Sequence, residues 1–269
     1  VLTPEAVNSD NDMLNFLQSR EGQELVGIKG HEKSRQESHI NSIGAIRARN
    51  RKLVDMAGKL AQHVPDLDPI HAEGGPNATT PQKQAAMTEI LVAALVSGLT
   101  NVVTYTIDDL GTPVTGLPGN ETDRIGIHPL GHDEAFGGVP AWKTREQIRI
   151  SHVNQVKTIV DRLKQVPEGS GNMFDNTMIM YFPENGETHH GVGSESPFLV
   201  MSGNNCTLDM AGRYIRLPYH GSEGHKTLGN WYTTLLNAHG NPIEHYGDLD
   251  TEMSRKKLPQ TGPIKQLMG

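Results

Sequence analysis

The segment from residue 175 to 190 concentrates the side chains best suited to bind a metal ion. Its first part is apolar and β-rich, and a turn at Gly186 ends the predicted strand. The donors that leave the apolar run at this point are Glu184, Asn185, Glu187, His189 and His190. Oxygen and imidazole donors are the ligands of hard and borderline divalent ions, so the segment predicts a site for calcium, zinc or magnesium. A solvated exit from strand to loop is the alternative interpretation.

A second group of donors, His128, His132 and Asp133, comes earlier in the chain. Two histidines four positions apart would share one face of a helix, but Pro129 and Gly131 predict a loop here. The internal Glu of a helical zinc-protease motif is also missing from the sequence. A loop could still offer imidazole and carboxylate groups to an ion. For each histidine alone, a hydrogen-bonded structural role is the competing interpretation.

A third group lies in a glycine-rich turn, residues 220–226, which precedes a predicted helix. Backbone N–H groups at a helix N-terminus attract phosphate or sulfate, and a lysine adds positive charge. His220 and Lys226 are therefore predicted to bind an anion. No Walker-type spacing is present, and a simple connector is the alternative.

The acidic pair Asp108 and Asp109 follows a β-branched segment that predicts a strand over residues 101–107. Ligands gather at the carboxyl ends of strands in an α/β sheet, so this pair can be compared directly with the clusters at 128–134 and 184–190. A covalent nucleophile is not evident. The chain lacks a Gly-x-Ser-x-Gly elbow, and Cys206 lacks a motif that marks an activated thiol.

Helices must supply most of the framework that positions these groups. Apolar residues at near three-four spacing predict a long amphipathic helix between Ser34 and His63, ended by Pro65. The Pro- and Gly-rich stretch 65–81 is the predicted boundary between an N-terminal helical arm, residues 1–80, and an α/β region, residues 81–269.

Within the α/β region, helices are predicted for about residues 80–97, 142–166 and 226–239. The second of these carries a predicted apolar stripe that consists of Val153, Val156, Val160 and Leu163. Strands are predicted before Pro183 and again over residues 197–202, and a long loop is predicted from 110 to 140. This order of helices and strands is typical of an α/β fold.

Composition narrows the classes of partner. The 269 residues carry a formal net charge of -7 and have no basic stripe, so neither nucleic acid nor an anionic membrane surface is an expected partner. No stretch approaches the roughly 18 apolar residues that a membrane-spanning helix needs. Small molecules, sugars or another protein remain as candidates.

Several features bear on location. The single cysteine excludes an internal disulfide framework. Sequons at Asn77, Asn120 and Asn205 would matter in a secreted protein, and the start at Val1 suggests that a leader or a longer upstream segment has been removed. We therefore expect a periplasmic, extracellular or cell-surface protein.

Residues 85–250 resemble the C-terminal half of the alkaline phosphatase and sulfatase superfamily. The likeness is carried by the Asp-Asn-Thr-Met-Ile-Met-Tyr-Phe-Pro-Glu-Asn-Gly-Glu run from Asp175, by the helix and turn from Thr227 to Pro242, and by the apolar strand after Pro197. The segments Gly212-Arg-Tyr-Ile-Arg-Leu-Pro, Gly224-His-Lys-Thr-Leu and His245-Tyr-Gly-Asp are similar to an uncharacterised bacterial branch of that superfamily.

The resemblance implies an alkaline phosphatase-like three-layer sandwich and a divalent metal site. It places Glu184 and Asn185 at metal-binding positions, with His189, His190 and His225 as neighbours. The early strand that carries the superfamily's nucleophile has no counterpart before Ser34, and the sulfatase Cys-x-Pro-x-Arg signature does not occur in the chain.

Two functions follow as hypotheses. The first is a noncatalytic secreted or surface protein that keeps the fold and uses the long N-terminal helix to assemble, either as a homo-oligomer or with another chain that supplies the N-terminal half of the fold. The alternative is a metal-dependent hydrolase of phosphate or sulfate esters, acting on a small ester or glycan substrate.

Overall fold

The computed structural model of the protein describes residues 8–9, 11–17, 19, 29–71, 78–109, 111, 113–119, 121, 123–183 and 197–268. Within these ranges the chain combines helices with small sheets, which agrees with the coarse α/β prediction. The helices bounded there are α1 (Gly30–Asp55), α2 (Ala57–Gln62), α3 (Thr80–Val96), α4 (Ile127–Gly131), α5 (Ala141–Lys164), α6 (Leu228–Ala238) and α7 (Thr251–Arg255). Shorter 3-10 turns cover Pro69–His71, Met173–Asn176 and Lys265–Leu267.

The strands form two antiparallel pairs in the described part of the chain. β1 (Pro167–Glu168) pairs with β2 (Gly171–Asn172), and β3 (Met178–Tyr181) pairs with β4 (Leu199–Ser202). In the second pair Met178 lies opposite Ser202 and Tyr181 lies opposite Leu199. Both strands of this pair were predicted from the sequence, so the structure confirms them.

The predicted strand at residues 101–107 is wrong. Residues 102–109 run without strand pairing to any described residue, and the side chain of Val102 is 80% exposed. A β-branched run favours a strand only where a neighbouring strand completes the ladder and covers one face. Here the segment instead passes beside α3 and α5, which position it through side-chain contacts described below.

The long N-terminal helix is present but divided. Instead of one helix over residues 34–63, α1 and α2 follow each other with Met56 between them. The backbone N–H of Met56 still donates to the carbonyl of Lys52 at 3.0 Å, so the interruption is a local distortion. Of the predicted apolar stripe, Ile43 is buried whereas Ile46 is 47% exposed.

Helix α5 has a clear buried face. Eight of its residues are buried: Ala141, Thr144, Ile148, His152, Val156, Ile159, Val160 and Leu163. Their spacing of three or four positions puts them on one side of the helix. The predicted stripe is correct at Val156, Val160 and Leu163 but wrong at Val153, which is 40% exposed because it lies beside the buried face. The neighbouring residue, His152, takes the buried position.

The described residues form two apolar clusters. One joins Leu130 of α4 to Ala141 and Ile148 of α5 and to residues of the loop before α4, namely Val114, Leu117 and Ile125. The other is built around Trp231 of α6 with Leu208, Ile264 and Leu267, and side chains of β3 and β4 pack against it. The second cluster therefore ties the β3–β4 pair to the C-terminal segment.

Asn230 fastens the C-terminal segment to α6. It is fully buried, and its Nδ2 donates to the carbonyls of Gln260 and Gly262 at 2.5 and 2.8 Å. Thr234 Oγ1 accepts the backbone N–H of Ile264 at 2.8 Å. These polar contacts satisfy backbone groups that Trp231 and its apolar neighbours would otherwise leave buried without partners.

The chain divides into two compact units. One contains residues 1–67 and 89–104, and the other contains residues 68–88 and 105–269. The predicted division at residue 80 stays a prediction. In the part of the chain that the structure covers, no helix is both long and apolar enough to cross a membrane.

Candidate active site

A buried histidine between a carboxylate and a phenol forms the candidate site. His152, only 4% exposed, lies on the buried face of α5. Its Nδ1 atom is 3.1 Å from the hydroxyl oxygen of Tyr181, and its Nε2 atom is 3.1 Å from Oδ2 of Asp108. The rings of His152 and Tyr181 meet edge to face, with centroids 6.0 Å apart. We call these three residues the Asp108–His152–Tyr181 site.

Three different elements bring these side chains together. Tyr181 is the last residue of β3, so its side chain stands at the carboxyl end of the strand. His152 comes from the middle of α5, four positions after Ile148 and four before Val156. Asp108 ends the extended segment that follows α3. The site therefore lies where β3 ends, beside the middle of α5.

Polar contacts between α3 and α5 hold the segment that carries Asp108. Gln84 of α3 is 5% exposed, and its Nε2 donates to the carbonyl of Ile107 at 3.2 Å. Ser151 of α5 donates to Gln84 Oε1 at 3.4 Å. One turn further on, Thr88 donates to Gln155 Oε1 at 3.1 Å. Because the Gln84 amide fixes the residue directly before Asp108, it positions the carboxylate next to His152.

Burial and negative charge shape the acid–base properties of the neighbouring phenols. Burial raises the pKa of Tyr181, and the Asp108 carboxylate raises it further, while Arg149 acts in the opposite direction. Burial and Asp108 also raise the pKa of Tyr105. Both phenols therefore keep their protons at neutral pH and above.

The Nε2 atom of His152 is close to Asp108 but is not hydrogen-bonded to it. This nitrogen is buried and has no aligned hydrogen-bond partner among the described residues, although Asp108 Oδ2 is 3.1 Å away. A buried polar atom without a partner costs about 1 to 3 kcal/mol, so its retention calls for an explanation. A cation bound by both atoms would satisfy them.

The donor pair fits a divalent ion. Bonds of about 2.0 to 2.2 Å to one metal ion place two donor atoms roughly 2.9 to 3.5 Å apart. In the tautomer that carries its proton on Nδ1, His152 donates to the Tyr181 hydroxyl, and its Nε2 lone pair is available on the side of Asp108. No group of three or more His, Cys, Asp and Glu side chains able to hold a metal occurs within the described ranges. Among the described residues, Asp108 and His152 would thus supply two ligands of such an ion, and the remaining ligands would have to come from elsewhere.

Asp108 is more accessible to solvent than His152. The side chain of Asp108 is 27% exposed, while that of His152 behind it is 5% exposed. A small molecule can thus reach the carboxylate from solvent, whereas the imidazole is shielded. Asp109, the second member of the predicted acidic pair, has a different role, because its Oδ1 accepts the backbone N–H of Gly111 at 2.7 Å.

The strongest metal-site prediction lies outside the described residues. Glu184, Asn185, His189 and His190 all belong to the segment 184–196. In the sequence, Glu184 follows Tyr181 by three positions. Their predicted role as metal ligands stays a prediction.

The segment of His128, His132 and Asp133 begins with a short helix, although a loop was predicted for all of it. Residues Ile127–Gly131 form α4, and His132 is its C-cap residue. The loop prediction is wrong for residues 127–131 because Pro129 occupies the first turn, where a helix needs no N–H donor from that residue. His132 and Asp133 lie in a turn. The Nε2 atoms of His128 and His132 are 3.1 Å apart. Asp133 is ion-paired with Arg145 at 2.8 Å.

Carboxylates surround the residue predicted to bind an anion in the glycine-rich turn. His220 Nε2 is 3.1 Å from Asp250 Oδ2, and its Nδ1 is 3.7 Å from Glu252 Oε2. His225 lies beside it with ring centroids 5.2 Å apart, and its Nδ1 is 2.9 Å from the carbonyl of Pro218. An anion at His220 would therefore have to compete with two carboxylates.

Lys226 lies directly before α6, whose first turn is already capped. Thr227 accepts the N–H of Asn230 at 3.4 Å, and Asn230 Oδ1 accepts the N–H of Thr227 at 2.9 Å. This reciprocal capping satisfies two backbone donors that a bound anion would otherwise use. The metal role predicted for His225 and the anion role predicted for His220 and Lys226 stay predictions.

Sequence reasoning found Asp108 but missed His152 and Tyr181. A signal for His152 was present, because it continues the i, i+4 series from Ile148 to Val156 and a histidine on such a face must find partners. Tyr181 was assigned to the apolar strand, and the position of its hydroxyl depends on the packing of β3 against α5.

Comparison with known proteins adds no further assignment, because no family model, curated protein or solved structure matches this chain.

Proposed function

We propose that the protein is a metal-dependent hydrolase of phosphate or sulfate esters that works at the Asp108–His152–Tyr181 site. One observation carries this proposal: the buried His152 Nε2 faces Asp108 Oδ2 at 3.1 Å without an aligned partner. Such an arrangement suits the binding of a divalent ion at the carboxyl end of β3. The ion would polarise an ester oxygen and lower the pKa of a bound water.

Each residue of the site has its own proposed role. Asp108 and His152 would hold the ion, with Asp108 on the side of the solvent. Tyr181 fixes the orientation of the imidazole through its contact with Nδ1, since a metal-binding histidine commonly uses its second ring nitrogen in this way. Gln84 keeps Asp108 in register through the carbonyl of Ile107. Glu184 and Asn185, with His189 and His190, are proposed as the further ligands implied by the resemblance.

The proposal is tested with Asp108→Asn as the main variant, because this change keeps the shape of a partly exposed side chain and removes its charge. We expect the protein to hydrolyse p-nitrophenyl phosphate or p-nitrophenyl sulfate in the presence of calcium, magnesium or zinc. Loss of one group engaged in acid–base or metal chemistry should lower turnover by about 10²- to 10⁴-fold. Metal content measured by mass spectrometry should fall in the same variant.

Controls separate chemistry from folding. His239→Gln changes an exposed histidine at the end of α6 and should leave turnover unchanged. Tyr181→Phe keeps the ring and removes the hydroxyl, so it should lower turnover. Because it leaves the buried Nδ1 atom of His152 without this partner, it should also lower the free energy of unfolding by about 1 to 3 kcal/mol. Wild-type protein that turns over neither ester with any of the three ions would refute the proposal. Equal turnover of wild type and Asp108→Asn would do so as well.

The finer fold expectation also belongs to this proposal. We infer that residues 81–269 form an alkaline phosphatase-like three-layer sandwich, and the order α5, β3, β4, α6 supports it. The three sequons support a periplasmic, extracellular or cell-surface location, as proposed from the sequence.

A second candidate function is noncatalytic assembly through α1. The helix has 26 residues, and Ile43 is its one buried residue, although the whole of α1 is described. Ile46 is 47% exposed on the same helix. A helix with so little buried surface gains stability when a partner covers it. We propose a second copy of this chain as that partner, and the alternative is a different chain that supplies the N-terminal half of the fold.

A further inference from the structure

The pair His128 and His132 lies apart from the Asp108–His152–Tyr181 site in sequence and shows its own geometry. The two Nε2 atoms are 3.1 Å apart, and the rings are tilted by 48° with centroids 4.8 Å apart. Both residues are exposed. The two imidazoles are four positions apart, His128 within α4 and His132 at its C-cap, and their Nε2 atoms approach each other closely.

We propose that His128 and His132 form a surface site for a divalent transition-metal ion of the zinc or copper class. Zinc–nitrogen bonds of about 2.0 to 2.1 Å place two donor atoms roughly 2.9 to 3.4 Å apart, and the observed separation falls in this range. Imidazole donors favour zinc, copper and nickel over magnesium and calcium, which prefer oxygen.

The backbone under the pair is fixed before any ion binds. Leu130, 2% exposed, anchors α4 in the apolar cluster with Ile125 and Ile148. Arg145 of α5 donates from Nη1 to the carbonyl of Leu130 at 2.6 Å and pairs through Nη2 with Asp133 at 2.8 Å. This contact holds the end of α4 from which His132 projects. A site held in this way loses little conformational entropy when it binds a ligand.

The role of Asp133 follows from the same contacts. Its carboxylate is engaged by Arg145, so the proposed site uses the two imidazoles and not the full predicted cluster of His128, His132 and Asp133. Asp133 follows α4 in the left-handed region, with a φ of 63°, and its backbone N–H donates to the carbonyl of Leu130 at 3.2 Å. Asp133→Ala should therefore weaken metal binding less than the loss of either histidine.

The test is titration of the full chain with zinc chloride, followed by calorimetry and by NMR of ¹⁵N-labelled histidine rings. Two linked donors bind about 10²- to 10⁴-fold more tightly than one. His128→Ala and His132→Ala should each weaken one zinc-binding step by about 100-fold or more. In wild-type protein the Nε2 signals of both residues should shift together as this step saturates.

The matched control is His239→Ala, because His239 is also an exposed C-cap histidine, at the end of α6. It should leave the zinc titration unchanged. Asp108→Asn should keep the His128–His132 step, and the histidine pair variants should keep any ester hydrolysis, so failure of this proposal and failure of the proposed function are separable. The proposal is overturned if the variant that carries both His128→Ala and His132→Ala binds zinc as wild type does, or if the ring signals of His128 and His132 do not respond to zinc. The 3.1 Å contact would then be an imidazole–imidazole hydrogen bond.

Discussion

At the scale of single residues, the pKa of the Tyr181 phenol depends on its burial and on the neighbouring charge of Asp108. Burial comes first among the causes that raise its pKa, and the carboxylate of Asp108 comes second. The folded chain therefore holds this proton more tightly than the unfolded chain does. The resulting contribution to stability is fully present below the ordinary tyrosine pKa of about 10, and it is lost as the pH rises from there through the higher folded-state pKa.

Replacing Tyr181 should remove a late step from the alkaline titration of the folded protein. We expect ultraviolet difference spectra of tyrosinate to show phenols that ionise above about pH 10, and Tyr181→Phe should eliminate one of them. Asp108→Asn should move the remaining late ionisation to lower pH, because a negative charge no longer opposes it. Tyr214, which is 91% exposed, provides the control through Tyr214→Phe. An unchanged late titration in Tyr181→Phe would contradict the burial of this phenol.

How far the site could be predicted depends on the kind of signal each residue gives. Asp108 was found because an acidic pair follows a β-branched run, even though that run is not a strand. His152 was missed because a single histidine within an apolar stripe resembles an ordinary core position. The contact between His128 and His132 was missed for a different reason. Pro129 was treated as a helix breaker, whereas a proline in the first turn leaves the helix intact.

At the scale of elements, the short helix α7 depends on its N-cap. Asp250 Oδ1 accepts the backbone N–H of Met253 at 2.8 Å, and Oδ2 is 3.1 Å from His220 Nε2. The Met253 N–H is the main cause that lowers the pKa of Asp250, and His220 contributes as well. Met253 is fully buried, so the cap also fixes where α7 enters the core. Five residues cannot form a stable helix by themselves, and the cap and this side chain must hold it.

Removal of the cap should destabilise the protein measurably. Asp250→Ala should lower the free energy of unfolding by about 1 kcal/mol at neutral pH, the typical value of an N-cap interaction. Because the folded-state pKa of Asp250 is lowered, the contribution of its charge is present above about pH 4 and is lost as the pH falls through the folded-state pKa. Urea unfolding at several pH values should show the gap between wild type and Asp250→Ala narrowing in acid.

The companion variant Asp250→Asn keeps a side-chain acceptor for Met253 but has no charge. It should retain most of the stability at neutral pH, and the part of the acid dependence due to Asp250 should disappear. If Asp250→Ala unfolds at the same urea concentration as wild type, the cap does not support α7.

Helices were predicted more successfully than strands for a physical reason. The bounds of α3, α5 and α6 follow from local signals, namely proline in or before a first turn, apolar spacing and a glycine after the last turn. A strand depends on a partner that is distant in sequence, so residues 101–107 looked correct locally and still formed no ladder with a described residue. The break at Met56 did have a local signal that was not used, because Gly58, two positions later, is a poor helix former.

At the scale of the whole molecule, the chain carries a formal net charge of -7 and divides into two compact units. This division allows the two proposed functions to be tested separately. The catalytic proposal concerns residues 68–88 and 105–269 alone, since all members of the Asp108–His152–Tyr181 site belong to that unit. The assembly proposal concerns α1, which belongs to the other unit. The two proposals can therefore be examined by separate substitutions in one full-length chain.

Assembly through α1 predicts a mass in solution above the 29.4 kDa of one chain. A helix of 26 residues is about 39 Å long, and its exposed apolar side chains would be covered by the same helix of a second copy. Ile46→Glu places a charge on this surface and should convert the assembly to single chains, as measured by light scattering after size-exclusion chromatography. Ile150→Glu is the matched control, because Ile150 is 55% exposed on α5 and should not affect the mass. Wild-type protein that runs as one chain at every concentration would rule out self-assembly. A contact through α1 should depend on Ile46 and not on Ile150. If Ile46→Glu and Ile150→Glu both abolish the assembly, the contact does not lie on α1.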